Sequence, residues 1–287
     1  MKKLWVFCAL PLLFLSCQKN QDEQSVVTQR FVHKYGFDVS PNEWKERSEE
    51  GQVISVLENG STLTETYSNG ILHGDVKITY PHSEILEKKS VYDEGNLIKT
   101  IYFDPYGKPF KEEAFELDST ILTYWDHKGA PLSIEEYQNK SLINGNYFHD
   151  DIEESMIKEG NGIRTKRDQH GLLLAKEKIE NGALIHRTTY HKNGLPKMES
   201  PFLNYKLHGK QITYTESGNP QVELSWENGL LNGMKYMYKN DKTVLEVPFV
   251  KGKKDGIEKR FDESGNLIAE IHWKNDSKHG SSKYFFN

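Results

Sequence analysis

The chain holds eleven histidines, and the pair closest to a metal-ligand spacing is His186 and His191. A separation of five puts them on opposite faces of a strand, which argues against a shared ion. His73, His186, His208 and His279 fall in or beside short two-glycine segments, in a slot that Asn232 and Asp255 also fill. The slot asks for polarity, not for an imidazole. Asp150, Asp151, Glu153 and Glu154 form an acidic run that could hold a cation weakly or serve a hydrolase, but a charge run of this kind reads first as a solvated loop. HExxH, P-loop, GxSxG and CxxC motifs are all missing from the sequence. No metal, no cofactor and no catalysis is expected. One aromatic row remains: Trp226, Phe249 and Trp273 recur at equivalent positions. They are candidate ligand-contact rings, or a ladder that fills the one apolar layer of a thin sheet.

Covalent chemistry points to Cys17. Met1-Lys2-Lys3 gives a positive start, Leu4 to Leu15 is almost wholly apolar, and Ser16-Cys17 is followed at once by the polar stretch Gln18 to Ser25. The apolar run is too short to span a bilayer and has the size of a signal-peptide core. The segment resembles a bacterial lipoprotein signal, in which cleavage precedes a cysteine that is then acylated; Phe14 is a looser match than Ser16. The other cysteine, Cys8, lies in the part that would be removed. The resemblance implies a lipid anchor on Cys17, membrane attachment through it, and a place in the bacterial cell envelope, inner or outer membrane left open. With one cysteine left, no internal disulfide staples the fold.

Composition bounds the rest. In 287 residues, 36% are hydrophobic and 28% charged, with a net charge of -5 and a mean hydropathy of -0.72. So few apolar residues argue against two large buried cores and for a thin or elongated architecture. Aromatics at 11% are too many for disorder. The acidic balance gives no pull toward nucleic acid, and none is expected as a partner.

What positions these residues is a repeat. Gly209, Gly233, Gly256 and Gly280 lie 24, 23 and 24 residues apart, each followed five residues on by Tyr214, Tyr238, Phe261 and Phe285. A second series, Gly171, Gly194, Gly218, Asp241 and Gly265, is followed eight residues on by Ile179, Phe202, Trp226, Phe249 and Trp273. Leu267, Ala269, Ile271 and Trp273 alternate with Ile268, Glu270 and His272, a period of two that predicts strand. Each unit thus reads as strand, turn, strand, turn. Weaker copies extend upstream, and the register breaks between about 115 and 161.

The glycine–aromatic pattern is similar to MORN-type repeats of the bacterial variant class, well over 171–287 and loosely over 59–287. The resemblance implies an all-β fold: an elongated antiparallel meander of 23–24-residue hairpin repeats. On function it is nearly silent, since some such arrays carry an antitoxin label and other MORN proteins act as scaffolds.

The organisation expected is a signal at 1–16, a tether and short segment at 17–57, and the array at 58–287. Ser40-Pro41-Asn42-Glu43 has capping-box spacing and predicts a short helix over about 41–49. The leading functional expectation is a membrane-anchored, non-catalytic scaffold binding a protein or envelope polymer. An antitoxin or immunity protein that neutralises one partner is the alternative, and an envelope hydrolase a distant third.

Overall fold

A computed structural model describes residues 25–285; Cys17 and the signal-like segment lie outside them. Those residues form a 25-stranded antiparallel sheet with one short helix. The order is a meander. Val26–His33 pairs with Gly51–Leu57, which pairs with Thr62–Ser68, and so on by consecutive hairpins to Ser277–Tyr284. Residues 26–57 therefore contribute strands to the same sheet as the repeats. The helix Pro41–Glu46 ends three residues before the expected limit and has the full capping box: the Ser40 side chain accepts from the Glu43 N–H, and Glu43 caps the Ser40 N–H in return. Trp44 pins it, packing on Phe31 at 5.6 Å and edge-on to Tyr67 at 6.3 Å between ring centroids.

Two kinds of turn alternate. The first is a five-residue loop opened by Asp104, Asp126, Asp168 or Asp262, three residues before Gly107, Gly129, Gly171 and Gly265. In each, one carboxylate oxygen accepts two backbone N–H groups of the loop at 2.8–2.9 Å. The second is a two-residue turn with both residues at positive φ, such as Asn228 (52°) and Gly229 (83°). That geometry matches the twist of a hairpin and favours Asn-Gly.

The two-residue turns are also wired to the preceding repeat. Gly229 donates its N–H to the Leu207 carbonyl at 2.8 Å, Gly252 to Leu231 at 2.7 Å and Gly95 to Leu72 at 2.8 Å. The polar slot receives the other turn amide. Asn232 Oδ1 accepts from the Lys251 N–H at 3.1 Å and Asn161 Oδ1 from the Asn181 N–H at 3.0 Å. His73 and His208 take the same role through Nδ1 at 3.4 Å. An acceptor is what this position needs.

One face of the sheet is buried in an unusual way. Among the described residues, eleven apolar and eleven polar or charged residues are buried, so half of the interior is polar. The polar ones fall in cross-strand register: Ser90 beside Thr100, with hydroxyls 3.0 Å apart, and Gln211 donating to Ser200 at 2.8 Å. Arg164, Glu177 and Arg187 follow one another across three strands. A chain short of apolar residues satisfies most of this interior by internal hydrogen bonds, as buried polar groups require, the Ser61 hydroxyl being without a partner. The apolar core proper is small: Leu142, Tyr147, Ile157 and Ile179, with Tyr137 and Leu184 against them.

Candidate functional site at the register break

Where the 23-residue period fails, the turns change type. Asp150–Asp151 and Glu159–Gly160 are two-residue turns, so the strands Ser141–His149, Ile152–Lys158 and Asn161–Arg167 follow one another without an intervening five-residue loop. Backbone pairing of the last two strands covers only Ile157 with Gly162 and Lys158 with Asn161. Beyond it, side chains take over: the Ser155 and Thr165 hydroxyls lie 2.7 Å apart, and Arg167 Nη2 donates to Glu154 at 2.6 Å.

This slackened ladder lets the sheet fold on itself. The strand Pro131–Gln138 lies three strand steps from Asn161–Arg167, which on a flat sheet is about 14 Å. Yet Arg164 grips Glu135 with two N–H groups, Nε to Oε1 at 2.6 Å and Nη2 to Oε2 at 2.8 Å. The Tyr147 hydroxyl donates to Oε1 at 3.0 Å and that of Tyr137 to Oε2 at 2.8 Å. At the strand ends, the N–H of His127 donates to the Gln169 carbonyl at 3.0 Å, and the rings of His127 and His170 lie 5.1 Å apart. The two halves of the array meet along this seam.

Electrostatics at the seam are settled internally. Glu135, 2% exposed, receives four hydrogen bonds, two on each oxygen, which is the full capacity of a carboxylate. Burial, and then the charge of Glu135, push the Tyr137 and Tyr147 hydroxyls well above the usual tyrosine range. Burial works against the Arg164 cation, but its hydrogen bonds to Glu135 and that charge raise it further above its ordinary value. Burial also works against the Glu177 carboxylate; Lys166, Arg187 and Arg164 outweigh it and hold Glu177 below its ordinary range. A carboxylate with every acceptor site filled has no room to take a substrate proton.

Beside the seam opens a cleft of about 390 Å³. Its walls from the N-terminal half include Phe110, Tyr124, Trp125 and Leu132; the C-terminal half brings Arg164, Lys166, Arg167, Gln169 and Leu174. Sequence reading missed these residues, because they lie in or beside the stretch where the period is lost and only the fold of the sheet brings them together.

The residues singled out in the sequence fall elsewhere. Trp226, Phe249 and Trp273 sit opposite Gly209, Gly233 and Gly256 on the neighbouring strand. The three rings are half-buried and separated from one another by a whole strand, so they do not form the continuous stack expected of a ladder. Each stands across the ladder from a glycine instead. Trp226 Nε1 donates to Gln211 Oε1 at 3.2 Å, and Lys254 Nζ lies 4.4 Å above the Trp273 ring. His186 pairs across the sheet with Lys178 and Pro201, while His191 Nε2 lies 3.1 Å from the Tyr214 carbonyl; the two do not converge. Of the acidic run, Asp150 and Asp151 form a turn, Glu153 accepts from Asn146 Nδ2 at 2.8 Å, and Glu154 pairs with Arg167. No group of three potential metal ligands converges among the described residues.

Comparison with known proteins fits this geometry. Residues 207–228 and 254–275 each match the MORN repeat variant family. Each segment spans two strands and the five-residue loop between them, so the chain carries MORN-variant repeats at these positions. No curated protein matches the chain. Among solved structures, the crystal structure of TarM is 12% identical, with 50% of this chain and 22% of that chain covered and a TM-score of 0.18. This chain thus spans about a fifth of that protein's length. BamB from Moraxella catarrhalis is 10% identical over 79% of this chain and 74% of its own, with a TM-score of 0.17. Scores this low carry no bearing on what the chain does.

Proposed function

We propose that the chain is a lipid-anchored, non-catalytic binding scaffold of the bacterial cell envelope, held to its membrane by acylated Cys17 and presenting the repeat array to a protein or envelope polymer. The observation that carries the scaffold reading is the engagement of the three most buried carboxylates. Glu135 has no free acceptor site, and Glu177 and Glu258 are each held by two or more cations. What the array offers outward is surface repeated from hairpin to hairpin, which suits binding better than bond-making. The anchor rests on the signal-like segment that ends at Cys17. One acyl chain gives only marginal attachment, so firm retention implies more than one. Metabolic labelling with a fatty-acid analogue should mark the wild-type chain and leave Cys17→Ser unmarked, with that variant released from membranes. Labelling that survives the substitution would overturn the anchor.

A further inference from the structure

The cleft at the seam differs in chemistry from the rest of the molecule. The chain as a whole is acidic, with a net charge of -5, but the charged residues lining the cleft are three cations, Arg164, Lys166 and Arg167, and one carboxylate, Glu135. That carboxylate is fully occupied by Arg164, Tyr137 and Tyr147. Among the described residues the Lys166 ammonium is engaged only by Glu177, at 3.3 Å, and an ammonium has three N–H groups to donate. Arg167 is turned to Glu154 and to the Gly171 carbonyl. Across from these cations stand flat or apolar walls: Phe110, Tyr124, Trp125 and Leu132. A volume of about 390 Å³ lies within the range of small-ligand sites.

We propose that this cleft binds a small anionic ring compound, its carboxylate on Lys166 and its ring among the aromatic and apolar walls that include Tyr124 and Trp125. Two sources share that chemistry: an acidic sugar and an aromatic acid. This deepens the binding-scaffold reading by giving it a ligand class, but it stands apart from the lipid anchor. Its failure would leave acylation of Cys17 untouched, and loss of the anchor would leave the cleft intact.

Calorimetric titration of the full chain with glucuronate and with benzoate tests it, with glucose, benzyl alcohol and inorganic phosphate as references. At least one ring acid should bind more tightly than its uncharged counterpart and than phosphate; which acid does so identifies the source. Lys166→Gln should weaken that binding about tenfold or more. Because Lys166 also pairs with Glu177, a second variant guards against misfolding. Leu174 is 46% exposed, so Leu174→Glu puts a like charge at the cleft without emptying the core, and it should abolish acid binding with the melting temperature unchanged. The proposal is overturned if neither acid binds, if the neutral compounds or phosphate bind as well, or if both variants bind the acid as the wild type does.

Discussion

Glu177 and Glu258 are 2% and 1% exposed, yet both carboxylates stay below their ordinary pKa. For Glu258, as for Glu177, burial works the other way, and hydrogen bonds from Arg260 and Lys254 overcome it. A carboxyl depressed in the folded state contributes stability that is complete above its unfolded value and lost as pH falls through the folded one. Stability should thus be flat down to about the ordinary glutamate value of 4.5 and decline below it. A denaturant titration series across acidic pH measures this. Glu177→Gln combined with Glu258→Gln should start from a lower plateau and show a shallower acid decline; an unchanged decline would mean that other groups govern it. The slot shared by His73, His208 and Asn232 shows how far the sequence reaches at this scale. Its polarity is visible in the spacing, but the reason, an acceptor for the next turn's amide, lies in a residue about twenty positions on.

At the scale of the element, the hairpin unit depends on close approach between a glycine and the strand before it. Gly233 sits at φ +115°, and a Cβ there would lie 2.9 Å from the Cβ of Ser225. Gly233→Ala should cost at least about 1 kcal/mol through positive φ, with more from the collision. Trp226 is only half-buried, so Trp226→Ala should cost about 2 kcal/mol, less than the roughly 3–5 of a fully buried ring. Each unit leans on its neighbours, so hydrogen exchange should rise across about 194–261 and stay unchanged near Tyr67. Unchanged protection next to Trp226 would instead make the aromatic row a candidate contact surface. The period, the strands and the two turn positions were legible because glycine and the aromatics mark them at fixed offsets. That the aromatics stand opposite glycines, rather than against one another, was not legible, because the partner lies across the ladder. A further signal went unread: aspartate three residues before Gly107, Gly129, Gly171 and Gly265 marks four of the self-capped loops.

For the molecule as a whole, the decisive feature is the seam, and it lies in the segment where the repeat signal fades. Glu135 and Arg164 are 29 residues apart, and nothing periodic joins them. A regular meander would keep them three strands from each other. Tight turns at 150–151 and 159–160, with a ladder of only two residue pairs flanking the second, convert the break in period into a fold in the sheet. The cleft, and with it the proposed ligand, exists only if that fold does. A double-mutant cycle on Glu135→Leu and Arg164→Met, read by chemical denaturation, tests it most directly. If the two side chains are joined across the seam, each single change leaves a buried group without its partner, at a cost of about 3–5 kcal/mol for the more buried carboxylate. The double variant should then be less damaged than the sum, with a coupling above about 1 kcal/mol. If the sheet instead runs on flat, the two sites are separated by about 14 Å and the effects should add to within about 0.5 kcal/mol.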